Sequence, residues 1–549
     1  MYLRIKEKMQ RHETQYFILL AFIGIFMMAF CSYTSPAYYF DTSPDNNAFF
    51  TVGKAMMHGI TPYKDIFEQK GPYVYLLHGL AYLVSHRSFI LIFVVEIGVL
   101  VAAMILTFKI ARVMKLAELP AFLVAMLSPM LFLYHPYYNY GDTVEFFTLP
   151  LLLLLIYLIF LLDQHQLTVS PWWFFAQGLF VGIIFLAKYT LLGAWIAFYL
   201  AYGCYLLVKK QWRLLGQLVL WSGVGFLLAT VPWLIYFLAT GSLGSFINVY
   251  ILFNTKVYMT SSVSFFSNLI QSTILVASFY LSDVFFFLLG VGGTLLILFQ
   301  QTILQRRLTR VLYLAAFLGT DLLALYGYQT GSLYQYYQLV YFAFFVVPFI
   351  YFLNLFFNWV RLPSVDDPFI ILSTLVLSFF LVLGVNDNVT VSRLFPNNAA
   401  ITKRSTRKPQ QPAQIEFGNI MRQQSAHPTL LNYGSIDMGF YTAADAVPTT
   451  YYFQNYNIPE KAAPQILRSQ RRVIQRHQVQ WVVLNTPTKQ SVREWAGNKE
   501  IPGRISSGNL NPGTSKLAKS LYRHYRLVKT HRQVFEQVDV KYWLFERKG

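Results

Sequence analysis

Two short stretches of this 549-residue chain carry most of its candidate chemistry. In YYFDTSPDNNAFFTVGKAMMHGI, the run Ser43-Pro44-Asp45 has the form of a helix start, with Ser43 as N-cap and Pro44 at the first helical position. Gly59 would stop that helix. Asp45 would then lie in the positive end of the helix dipole, which favours its ionised form. A carboxylate held ionised beside a membrane can accept a proton from an attacking hydroxyl; equally, it can do no more than stabilise the helix end. Further on, FEQKGP holds Lys70, with Asp65 and Glu68 close by. Gly71-Pro72 implies a tight turn that fixes where the ammonium points. A lysine at headgroup level suits a phosphate. The alternative is a snorkelling lysine paired to Glu68.

What must position these groups is a membrane. The chain is 55% hydrophobic and only 13% charged, with 18% aromatic residues, too little charge to cover a soluble surface of this size. A span needs roughly 20 apolar residues, and eleven candidates occur: Tyr16 to Pro36, then about 88–108, 117–134, 144–162, 172–187, 189–208, 214–239, 282–300, 309–328, 336–358 and 368–385. The first follows a basic flank and has no small-residue cleavage site, so it reads as an anchor. With the N-terminus inside, four of the five short inner loops carry Lys or Arg (FKIARVMK, KKQWR, QRRLTR, NWVRLPSVDD), whereas the outer connections YHPYYNYGD and YQTGSLYQ carry none. An odd number of spans places the C-terminus outside.

The expected organisation is a transmembrane domain over residues 1–385 with a first outer loop at 37–87, a polar linker at 386–412 and an extracytoplasmic domain at 413–549. The loop contains YVYLLHGLAYLV, too short to cross and suited to lie along the interface. Residues 386–549 carry 24 Lys+Arg against 10 Asp+Glu, a net of +14. There β-like runs (QWVVLN, KYWLFER) alternate with helical ones (PQILRSQRRVIQRHQ), the pattern of a small α/β domain.

The set Asp45, Gly53-Lys54, Gly59, Pro62-Tyr63, Asp65 and Lys70-Gly71-Pro72 resembles the first-loop signature of the GT-C membrane glycosyltransferases. The resemblance is closest to the branch of protein O-mannosyltransferases and aminoarabinose transferase, including Gram-positive teichoic acid glycosylation proteins. It implies Asp45 as catalytic base, with Asp41 as fallback, and Lys70 and Lys188 as contacts of the donor phosphate. Gly141-Asp142-Thr143-Val144-Glu145, the helix with Gly178, Gly182 and Lys188, Asn254 with Tyr258, and Tyr334-Gln335-Tyr336-Tyr337 resemble further segments of the family. With Glu68 of the first loop, they give Glu145, Asn254, Tyr258 and Tyr336 as expected substrate contacts. LLNYGSIDMGFYTAADAVPTTYYFQNYN resembles the family's tail domain. Independently of any family, the charge-derived topology puts Asp45, Lys70, Glu145, Lys188, Asn254 and Tyr336 all on the outer side.

The implied activity moves a sugar from a polyprenyl-phosphate donor to a surface acceptor such as teichoic acid, with inversion and without a required cofactor; a divalent cation is compatible but unnecessary. The dispersed charge does not form a nucleic-acid footprint. Neither a phosphate-binding loop, nor zinc-helix spacing, nor a nucleophile elbow occurs. Glu96 and Asp321, carboxylates within spans, keep a second reading open: a transporter or flippase of a lipid-linked saccharide.

Overall fold

The computed structural model describes residues 2–549 except 136, 140, 142, 259–264, 328–334, 363–366, 396–410, 457, 459, 461, 488–490, 493–514 and 536–537; side chains at 2–12, 258, 265, 268–269, 272, 324–327, 487, 515–519, 534–535 and 538–539 are also outside the description. The chain divides into two compact units. One comprises Met1–Cys31, Val94–Ile235 and Met259–Asp387; the other comprises Ser32–Phe93, Tyr236–Tyr258 and Asn388–Gly549.

The first unit is helical. Each expected span overlaps a helix, since backbone groups must pair internally in lipid. Seven helices among the described residues are long and apolar enough to cross a membrane, among them Ile90–Val113, Val144–Gln164, Tyr341–Trp359 and Pro368–Val385. The pair Thr273–Ser282 and Phe286–Phe299, bent by 104°, makes an eighth if it is one span. Of the remaining expected spans, Glu118–Phe132 and Gly193–Val208 are short, and Arg307–Gly327 carries Arg307, Arg310 and Asp321. Large apolar side chains such as Leu220, Leu228 and Phe380 point outward, as lipid-facing residues do. Helix Pro171–Lys188 packs onto Trp212–Ala239 through small residues: a Cβ at Gly178 would lie 2.0 Å from the Ser222 carbonyl oxygen, and one at Gly182 would lie 2.6 Å from Ala229 Cβ.

In the second unit, the first loop folds into two helices, Pro44–Met57 and Pro72–Val84. They cross at Gly53, where an added Cβ would meet the Gly79 backbone nitrogen at 2.4 Å. The second helix buries Tyr75, His78 and Tyr82 and exposes Leu80, Leu83 and Val84, the two-sided character expected of an interfacial helix.

The C-terminal segment forms a four-stranded sheet in the order β1-β2-β4-β3, with β1 Leu430–Asn432, β2 Trp481–Pro487, β3 Tyr525–Phe535 and β4 Val538–Arg547. β1 and β2 are parallel; the β2–β4 and β4–β3 pairs are antiparallel. Alternate residues Val482 and Leu484, with Trp543 and Phe545, face one core. Helix Pro464–Gln475 covers it with Leu467, Val473 and Ile474. Of the expected linker TKRSTRKPQQPAQ, residues 402–410 lie outside the described residues, and Ala413 already opens the helix Ala413–Gln424.

Candidate functional sites

The helix start at Ser43 forms as its residues dictate. Ser43 Oγ accepts from the Asn46 backbone N–H at 3.3 Å, and Pro44 is the first helical residue. Asp45 sits exposed in the first turn. Asp41 is different: it is 2% exposed, its Oδ1 accepts from the Ser43 N–H at 2.7 Å and its Oδ2 from Asn46 Nδ2 at 2.8 Å. Asp41 therefore organises the helix start, while Asp45 presents its carboxylate on the surface of the unit. The helix ends at Met57, and Gly59 follows with φ +81°, where a glycine is required.

Lys70 is held by a device the sequence did not announce. Gly71-Pro72 does not make a tight turn; Gly71 is the N-cap and Pro72 the first residue of helix Pro72–Val84. Pro suits that position as well as a turn. What fixes residue 70 is its main chain. The Lys70 N–H donates to Glu68 Oε2 at 2.9 Å, and the Lys70 carbonyl accepts from Tyr63 OH at 2.7 Å and Tyr75 OH at 3.0 Å. Tyr75 OH also donates to Glu68 Oε2. Asn254 Nδ2 donates to the Gln69 carbonyl at 2.8 Å, which brings that expected residue to the same loop. Burial pushes Glu68 above the usual carboxylate range, and the Lys70 charge and the Tyr75 hydroxyl act against that rise.

With its main chain clamped, Lys70 lays its ammonium 5.9 Å from the Phe49 ring centroid. Phe49 follows Asp45 by one helical turn, so the two share a helix face. The Lys70 ammonium thus lies against a ring of the helix that carries Asp45. The Tyr258 side chain lies outside the described residues, as does Asp142.

The first unit gathers another expected group. Thr143 caps helix Val144–Gln164, its Oγ1 accepting from the Phe146 N–H at 3.2 Å, and Glu145 stands in the first turn, 1% exposed. Lys188 ends helix Pro171–Lys188, where the dipole favours a cation, and forms an ion pair with Glu145 Oε1. Its ammonium also lies 3.7 Å from the Tyr337 ring centroid and 5.5 Å from that of Tyr336.

Of the two span carboxylates, Asp321 accepts from Tyr280 OH at 3.2 Å, and Glu96 is fully buried. A third, Asp283, sits at the 104° bend, where it accepts from the Phe285 and Phe286 N–H groups at 2.9 and 3.2 Å and from Tyr134 OH at 2.9 Å. Among the described residues, no group of three His, Cys, Asp or Glu is placed to hold a metal ion.

The C-terminal segment supplies partners to the first loop that sequence reading did not find. Lys54, fully buried, donates to the Tyr441 carbonyl at 3.0 Å and lies 3.3 Å from Asp445. Thr51 Oγ1 donates to Asp437 Oδ2 at 2.6 Å. Tyr451 extends the seam through its carbonyl and its hydroxyl: the Phe67 N–H donates to the Tyr451 carbonyl at 2.9 Å, and Tyr451 OH donates to the Tyr63 carbonyl at 3.1 Å.

No family model and no curated protein matches the sequence. Solved structures do. ArnT from Cupriavidus metallidurans bound to undecaprenyl phosphate superposes with a TM-score of 0.55 at 12% identity, covering 96% of this chain and 97% of that one. The same protein in its apo state gives a TM-score of 0.51 at 14% identity, covering 86% and 92%. The chain is a multi-pass membrane protein with the fold of ArnT and a small C-terminal sheet.

Proposed function

We propose that the protein is a glycosyltransferase that takes a sugar from a polyprenyl-phosphate donor and attaches it to an acceptor on the outer face of the membrane. The acceptor is an anionic surface polymer, for which teichoic acid is the leading candidate. Asp45 accepts the proton of the attacking hydroxyl, and Lys70 and Lys188 hold the donor phosphate as it leaves. A single displacement inverts the anomeric carbon. One observation supports this reading above the others. The helix Pro44–Met57 holds an exposed carboxylate one turn from the ring over which Lys70 lies, in a chain that follows ArnT over nearly its whole length. That ArnT structure holds undecaprenyl phosphate, which supports a polyprenyl-phosphate partner here.

The transporter reading draws on the bent helix pair with Asp283, since discontinuous helices build transport sites. Yet Asp283 is engaged by two N–H groups of the helix it starts, which is capping. Mass spectrometry of surface polymers from cells lacking the protein separates the readings. A transferase leaves polymer present but short of one sugar, restored by the wild-type gene and not by Asp45→Asn. Unchanged glycosylation, or full restoration by Asp45→Asn, would reject the transferase.

A further inference from the structure

Within the second unit lies a cleft of about 430 Å³ whose walls include Tyr33, Tyr38, Tyr39, Asp41, Arg87 and Arg393. The volume is in the range of small-molecule sites, roughly 300–1,000 Å³. Asp45 and Lys70 are not among its lining residues.

The charges of the cleft are arranged in an unusual way. Arg393 is anchored by its main-chain N–H to the Ala37 carbonyl at 2.8 Å and by Nε to the Tyr38 carbonyl at 3.0 Å, and its guanidinium stacks 5.2 Å from the Tyr39 ring centroid. Arg87 is exposed at the other wall. Among the described residues, neither guanidinium pairs with a carboxylate. The carboxylate that is present, Asp41, is occupied by the Ser43 N–H and Asn46 Nδ2. Arg422 adds to the positive field: it bonds to the carbonyl of Ala443, a wall residue, and is held below its usual range by burial and by the Arg87 charge. Thr34, Ser35 and Ser88 also line the cleft.

Planar guanidinium groups match phosphate oxygens, and tyrosine rings give faces for the carbon skeleton of a polyol or sugar. A flat anionic lipid surface would use the charge but not the concavity. We infer that this cleft is the subsite that docks a phosphodiester-linked polyol or saccharide chain, the acceptor polymer of the proposed transfer. The inference rests on the transferase reading for the word acceptor, and on the cleft alone for the binding.

The test uses the purified full-length protein in neutral nanodiscs and a fluorescent oligo(glycerol phosphate) as probe, read by anisotropy. Arg87→Gln is expected to weaken binding about tenfold, the loss of one charge-assisted contact, and to flatten its salt dependence. Arg87→Lys recovers part of the charge effect but not the paired geometry, so it falls between. Arg393→Gln gives a similar loss, judged only where thermal unfolding shows the variant folded. Affinity for undecaprenyl phosphate, measured in parallel, stays constant in Arg87→Gln. The proposal is overturned if Arg87→Gln binds the oligomer as the wild type does, if it loses undecaprenyl phosphate instead, or if phosphatidylglycerol vesicles compete fully with the oligomer, which would make the cleft a membrane contact. Arginine-dependent oligomer binding in a protein that turns over no sugar would reject the transferase reading and leave the subsite standing.

Discussion

Both units hold a lysine beside a buried glutamate and tyrosines, yet they use these residues in opposite ways. Around Lys188 the carboxylate partners the ammonium itself: Glu145 is buried and paired, and Tyr337 covers the charge. At Lys70 the carboxylate and two tyrosine hydroxyls bind the main chain of the lysine, and a phenylalanine ring lies under the ammonium. One arrangement engages the side chain of the lysine; the other also clamps its main chain. A phosphate near Lys70 meets a charge oriented through its backbone. Near Lys188, a phosphate must share the ammonium with Glu145.

The largest effect that can break this comparison is on stability. Lys188→Met leaves Glu145 buried without its cation, which costs about 3–5 kcal/mol, whereas Lys70→Met should cost less because the main-chain hydrogen bonds that clamp residue 70 survive the substitution. Adding Glu145→Leu to Lys188→Met should recover most of the loss. Thermal unfolding of the four proteins in one detergent checks the pattern, and equal destabilisation by the two single variants would erase the distinction. A smaller effect is expected at Gly53, where a methyl group meets the Gly79 backbone. Gly53→Ala should force the two loop helices apart at about 1–3 kcal/mol, read as faster proteolysis of the first loop.

The smallest effect follows pH. Burial lowers Lys54 to about 8, against the opposing charges of Asp445 and Asp437, and burial raises Asp437 to about 6. Folded Lys54 binds fewer protons than unfolded between about pH 8 and 10.5, so stability rises with pH in that window. Folded Asp437 binds more protons between about pH 4 and 6, so stability falls there as pH rises. These two groups therefore leave the second unit least stable between about pH 6 and 8. Denaturant unfolding followed by tryptophan fluorescence should show that trough, and Lys54→Met should remove its alkaline side.

Local features were legible in the sequence. The apolar runs became helices because the chain has no other way to bury so many consecutive apolar residues, and Ser43-Pro44-Asp45 capped a helix as its residue types require. The sheet strands Trp481–Pro487 and Val538–Arg547 fall where alternation predicted them. Gly71-Pro72 was misread because proline after glycine serves a turn and a helix start alike. Contacts made by distant residues carried no local signal. Tyr75 looks like any aromatic in an apolar run, Glu145 and Lys188 are 43 positions apart, and Lys54 reaches Tyr441 across 387 positions.

The central claim is that an exposed carboxylate on the first-loop helix draws the proton off the acceptor. The most direct measurement is the release of free polyprenyl phosphate from a polyprenyl-phosphate sugar, followed by mass spectrometry with purified wild-type protein, Asp45→Asn and Asp41→Asn. The account predicts that folded Asp45→Asn still binds the lipid but releases it at least about a hundredfold more slowly, while Asp41→Asn loses stability first. Release by Asp45→Asn at the wild-type rate would contradict it.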